Sequence, residues 1–209
     1  MQGPRVARLA VAGLVLLAAG VAPVIAQERV IVAFGDSLTA GFGVSPEEAW
    51  PALVEARLRR EGYRYRVVNA GVSGDTTAGA LRRLDWVRRA RPEVAIVALG
   101  ANDGLRGQPL AAMRDNLSAI VSGLRDGGTR VLLAGMQLPR NYGAYAREFA
   151  GTYPAVATRL GVALMPFLLD GVAMDVRLNQ ADGIHPNAEG HRVVAERVWP
   201  FLIPLLARP

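Results

Sequence analysis

Four short segments spread along this chain carry side chains that can do chemistry together. Ser37, in G-D-S-L, supplies a hydroxyl, and Asp182 and His185, in D-G-I-H-P, supply a carboxylate and an imidazole three residues apart. Gly74, in S-G-D-T, and Asn102, in G-A-N-D, supply a backbone N–H and a neutral amide. These are the parts of an acyl-transfer centre: a nucleophile, a base with its orienting carboxylate, and donors for the oxyanion. Each is ordinary alone, since a serine after Gly-Asp serves as a helix cap and the other three are common turn sequences. Their company is what points to catalysis.

A serine hydroxyl is a weak nucleophile and needs a base within hydrogen-bond reach. Histidine, with an ordinary pKa of about 6.5, suits that task near neutrality, and the chain has two. His191 lies in a helical stretch beside Glu189 and Arg192, where a solvated or core-packed role is expected. His185 precedes that helix, with Asp182 upstream across Gly183. The carboxylate can turn back onto one ring nitrogen, fix the tautomer and leave the other nitrogen facing the serine. The oxyanion would be met by the backbone N–H of Ser37, the N–H of Gly74 and the side-chain amide of Asn102.

Positioning such residues requires a scaffold that gathers loops. Short apolar runs at residues 30–34, 65–69, 94–99, 129–135 and 162–165 read as strands, several of them apolar throughout as in a buried parallel sheet. Helical stretches fall between them, at residues 46–61, 77–90, 113–125, 145–160 and 189–206, with Pro154 predicted to kink or divide the fourth. This alternation predicts an α/β domain, three layers α/β/α, with a five-stranded parallel sheet. Right-handed crossovers then bring the loops after the first three strands, and with them Ser37, Gly74 and Asn102, to one edge.

With the four segments in this order, the chain resembles the SGNH hydrolase superfamily, also called the GDSL family, whose blocks are named for Ser37, Gly74, Asn102 and His185. The stretches N-D-G-L-R-G at Asn102, Q-L-P-R-N-Y-G at Gln137 and D-G-I-H-P-N at Asp182 are similar to one branch, the periplasmic thioesterase I, lysophospholipase and arylesterase group. The resemblance covers nearly all the chain after its N-terminal stretch. It implies a flavodoxin-like fold, with Ser37 as nucleophile, His185 as base, Asp182 as its partner, and Ser37, Gly74 and Asn102 as the oxyanion hole. It also implies an acyl ester or thioester as substrate and no cofactor. Two departures stand out: Ala101 replaces a glycine common in relatives, and the loop from Gly104 to Pro109 is one residue shorter, which bears on chain-length preference.

Leu105, Met136, Leu138, Tyr142 and Ile184 lie on or beside the expected mouth and are candidates for an apolar trough holding an acyl chain. Two other readings compete. A carbohydrate acetyl esterase of the same superfamily would share the triad but want a polar, aromatic cleft. A non-catalytic flavodoxin-like module would hold phosphate or flavin at residues 35–43, and it leaves the Asp182–His185 pair without a purpose.

Composition bounds the rest. Residues 1–26 read as a secretory signal, with Arg5 and Arg8, an apolar run broken by Gly13, Gly20 and Pro23, and a small-residue cut after Ala26. Cleavage there leaves residues 27–209 as one catalytic domain, periplasmic or secreted. The formal charge of +6 falls to +4 on losing the two arginines, because that stretch holds no acidic residue. The chain has no cysteine, so no disulfide supports it. It has no lysine, which excludes the usual phosphate-binding G-x-x-x-x-G-K motif, and no G-x-S-x-G elbow. Two histidines in an unfamiliar spacing predict no metal. Arg82, Arg83, Arg88, Arg89 and Arg91 are expected to form a solvated helix face, and no nucleic-acid partner is predicted because Trp86 is the single aromatic among them. A monomer is expected, touching membrane through a lipid substrate alone.

Overall fold

The computed structural model describes Gly3 and residues 28–208. The secretory reading of residues 1–26 falls, apart from Gly3, outside the described residues. Among those described, no helix is long and apolar enough to cross a membrane.

Five parallel strands, β1 (Arg29–Gly35), β2 (Tyr65–Gly71), β3 (Val94–Ala98), β4 (Arg130–Ala134) and β5 (Ala163–Met165), form one sheet in the order β2-β1-β3-β4-β5. Every predicted strand is present, within two residues at its ends. β3, V-A-I-V-A, is buried at all five positions, as a central strand covered on both faces must be. The chain order reverses between β1 and β3, which opens a crevice beyond their carboxyl ends. In register, Gly35 of β1 lies beside Gly71 of β2 and Ala98 of β3, so the three following loops leave the sheet at one level.

The helices are α1 (Ser37–Ala40), α2 (Trp50–Arg60), α3 (Thr77–Arg82), α4 (Leu84–Arg89), α5 (Ala101–Leu105), α6 (Leu110–Asp126), α7 (Gly143–Leu160) and α8 (Ala188–Leu202). In α6 the buried Met113, Leu117, Ile120, Val121 and Leu124 recur at helical spacing and face the core. The short α1 and α5 were not foreseen; each is a single turn opening a loop that bears a candidate site residue.

Two expectations need correction. The helix predicted over residues 77–90 is broken at Arg83, whose backbone leaves helical geometry at φ −104°, ψ 10° while its side chain turns inward. The other concerns Pro154, which does not divide α7. Phe149, Tyr153, Val156 and Ala157 on either side of it are buried in the core, and that packing offsets the backbone hydrogen bond a proline removes.

Candidate active site

Ser37 opens α1 directly after β1. Asp36 caps this turn, its Oδ1 accepting the N–H of Leu38 at 3.0 Å. Gly35 is needed for close approach: a Cβ there would lie 2.0 Å from Thr39 Oγ1 and 2.9 Å from the Ala98 carbonyl. The serine is thereby held half-buried on the carboxyl edge.

His185 arrives from the loop before α8, 148 residues away in sequence, with Nε2 2.9 Å from Ser37 Oγ. Its Nδ1 lies 2.7 Å from Asp182 Oδ2. The other carboxylate oxygen, Oδ1, accepts the N–H groups of Ile184 at 2.9 Å and His185 at 3.0 Å. These bonds, the His185 backbone N–H first and its side chain next, lower the Asp182 pKa to about 2. An ionised Asp182 accepts a hydrogen bond from Nδ1–H, which fixes the tautomer and leaves the Nε2 lone pair for the serine hydroxyl. The relay is continuous from carboxylate to hydroxyl.

Gly74, after β2, has φ +79°, with open space around the position of a Cβ save for Arg106 at 3.7 Å; its conformation, rather than crowding, calls for glycine. Among the described residues neither the Ser37 N–H nor the Gly74 N–H donates to another protein group. Asn102 begins the turn after β3, its Nδ2 donating to the Asp75 carbonyl at 3.0 Å and lying 3.4 Å from Asp36 Oδ2. The second contact is too long to be strong, so one amide hydrogen can be redirected to a ligand. The structure thus brings together all five residues expected at the centre.

Several residues that hold these groups carried no sequence signal. Arg83, read as part of a solvated face, is instead an inward clamp that donates to the carbonyls of Gly35 at 2.8 Å and Ala70 at 2.7 Å. It pairs with Asp75 at 2.7 Å and lies over the Phe34 ring at 4.5 Å. Only the tertiary fold could reveal this, because carbonyls at strand ends leave no mark on residue type. Asp103, 1% exposed, accepts from the backbone N–H and hydroxyl of Thr77, which ties the loop bearing Asn102 to the loop bearing Gly74. Arg106 donates to the Gly74 carbonyl and to Asn102 Oδ1, and so orients the amide. Gln180 donates to the carbonyls of Phe42 and Pro186, joining the serine and histidine loops. Burial pushes the carboxyl of Asp36 up to about 6.

A groove of about 440 Å³ begins beside the serine and is lined by Leu38, Leu105, Met136, Leu138, Met174 and Ile184, among others. Of the five residues expected in an acyl trough, Tyr142 is the exception. It is not in the lining, and its hydroxyl lies 3.4 Å from the carbonyl of Leu105, which is part of it. His191 is 1% exposed, accepts the Trp50 N–H on Nδ1 and has its pKa lowered to about 4 by burial, so it is a neutral core residue. The described residues hold no group of three or more metal-ligating side chains.

A hydroxyl–imidazole–carboxylate relay beside aimed donors, at the switch point of a doubly wound parallel sheet, defines a class of ester-cleaving hydrolases that lack a nucleophile elbow. The chain belongs to the GDSL-like Lipase/Acylhydrolase family, whose pattern it matches over residues 33–193. It is 44% identical over 183 residues to Esterase TesA of Pseudomonas aeruginosa, covering 87% of this chain and 91% of that protein. It is 35% identical over 178 residues to thioesterase 1/protease 1/lysophospholipase L1 of Escherichia coli K12, covering 84% of each. The crystal structure of a TesA protein superposes with a TM-score of 0.83 at 44% identity, over 85% of this chain and all of that one. The chain is therefore an SGNH hydrolase in fold and family, as its four segments suggested.

Proposed function

We propose that this protein is an exported serine esterase that cleaves carboxylic esters, acyl thioesters and lysophospholipids through an acyl-serine intermediate. The observation that carries the reading is the 2.9 Å contact between Ser37 Oγ and His185 Nε2, with Asp182 behind it. The hydroxyl attacks the acyl carbon while its proton passes to Nε2, and the carbonyl electron pair moves to oxygen. The N–H groups of Ser37 and Gly74 and the Asn102 amide meet that charge. Collapse expels the alcohol or thiol, which leaves with the proton from Nε2. Water then attacks the acyl-serine by the same route and frees the acid and the hydroxyl. No step calls for a cofactor.

The apolar groove supports an acyl chain rather than a sugar as the group held beside the serine, which weighs against the carbohydrate acetyl esterase reading. The names of the relatives support the range of leaving groups. Export rests on the charged, apolar and small-residue order of residues 1–26. The test is labelling with a fluorophosphonate probe, followed by peptide mapping and hydrolysis of p-nitrophenyl esters from acetate to palmitate. Label on Ser37, lost in Ser37→Ala together with turnover, is expected. Label elsewhere, or full turnover by Ser37→Ala, would overturn the proposal.

A further inference from the structure

Large apolar side chains exposed to solvent are not scattered over this molecule. Of the seven among the described residues, six, Phe42, Val72, Leu105, Met174, Val176 and Ile184, lie on the segments that follow the carboxyl ends of the strands, Leu105 as the last residue of the short α5, and Trp86 alone lies elsewhere, on α4. Leu105, Met174 and Ile184 also line the acyl groove, so the exposed rim is continuous with the groove. Phe42 packs on the His185 ring at 4.7 Å between centroids. Met174 and Val176 are 84% and 89% exposed, far beyond what packing under a loop explains. Met174 also has φ +69°, a left-handed conformation that strains an L side chain, so the backbone is strained where it displays this apolar group to solvent.

Charge around the rim has one sign left over. Arg106 and Arg140 are exposed there against one ionised carboxylate, Asp182, and Arg177 pairs with Asp175, so the excess among these groups is positive. An apolar rim set among arginines suits a surface with anionic headgroups over hydrocarbon. We infer that this edge docks on the surface of anionic lipid aggregates, so that a single-chain lipid passes from the aggregate into the groove without crossing water. The inference rests on the acyl-ester reading of the groove. Arg88, Arg89 and Arg91 do not take part, since they border a separate cavity with Thr129 at the amino edge, before β3 and β4.

The test uses flotation with the inactive Ser37→Ala protein, which separates docking from turnover, on vesicles of phosphatidylglycerol and of phosphatidylcholine. Binding to phosphatidylglycerol, at least tenfold weaker on phosphatidylcholine and weakened by 0.5 M salt, is expected. Val72→Asp/Val176→Asp in that background should lose at least tenfold in vesicle binding, while Trp86→Asp and Arg88→Ala/Arg89→Ala keep it. In the active enzyme, Val72→Asp/Val176→Asp should hydrolyse soluble p-nitrophenyl butyrate within twofold of wild type but lysophosphatidylglycerol in vesicles at least tenfold more slowly. Absence of binding, equal binding to both lipids, loss in the Trp86 or Arg88/Arg89 variants instead, or a change in oligomeric state as the sole effect would each overturn the inference. Loss of butyrate turnover in the wild type would instead sink the esterase reading, with flotation still deciding the docking.

Discussion

The two halves of the catalytic centre are held in opposite ways. The half bearing Ser37, Gly74 and Asn102 is anchored by bonds between distant segments: Arg83 to the ends of β1 and β2, Asp103 to Thr77, Asn102 to the Asp75 carbonyl. The half bearing His185 is a short turn whose main bonds run from Asp182 to residues two and three positions on, with the Asp182 side chain 39% exposed. Gln180, the Phe42 ring and the contact of His185 with Ser37 tie it to the rest of the centre. Carboxylates report the contrast directly, since burial raises Asp36 to about 6 while donated hydrogen bonds lower Asp182 to about 2. Oxyanion donors must be aimed before charge develops, which favours a rigid frame, whereas an imidazole that takes and returns a proton tolerates a local turn.

The largest effect belongs to the residue where the halves meet. Ser37→Ala should lower kcat at least about 10⁴-fold with little change in melting temperature, and stopped-flow assays on p-nitrophenyl butyrate would show it. On the rigid side, Asn102→Ala should reduce kcat by about 10² to 10³, equivalent to roughly 2.7 to 4 kcal/mol of barrier, and leave KM nearly unchanged. A rise in KM alone would mean that Asn102 binds substrate without favouring the transition state.

Stability should separate the halves next. Arg83→Gln leaves the Asp75 carboxylate and two carbonyls without their cation, and should cost about 3 kcal/mol, or roughly 6 to 12 °C in melting temperature, along with kcat. Lysine there should restore part of the stability but less of kcat, because it cannot reproduce the forked contacts. Asp36 should make the folded state sensitive to pH. Its folded pKa of about 6 lies above its ordinary 3.8, so between those values the folded protein holds a proton the unfolded chain has lost. Stability therefore declines as pH rises from about 4 to 6, by about 3 kcal/mol at most, and Asp36→Asn should flatten that slope in chemical denaturation. On the softer side, Gln180→Ala should lower kcat about tenfold while changing stability by no more than about 1 kcal/mol. A melting temperature as sensitive to Gln180 as to Arg83 would erase the distinction.

How far the sequence could be read follows from the same contrast. Asp182 and His185 sit three residues apart, so their pairing is visible as spacing, and Ser37, Gly74 and Asn102 are visible because each lies in a short distinctive segment a few residues after a predicted strand. Arg83 was misread because helical periodicity records which residues share a face but not which side chain turns back beneath the sheet. Tyr142 is near the groove in sequence, yet it is not among the groove's lining residues and its hydroxyl meets the Leu105 carbonyl.

Residue order alone therefore determined the alternation of strands and helices and the identity of the reacting groups, because short-range spacing encodes both. The fold decided that 148 residues close to a 2.9 Å contact, that a half-buried arginine locks the strand ends, and that six apolar side chains gather at one rim. Those are long-range facts: they depend on which strand neighbours which, and that order is a property of the packed sheet rather than of any local stretch of chain.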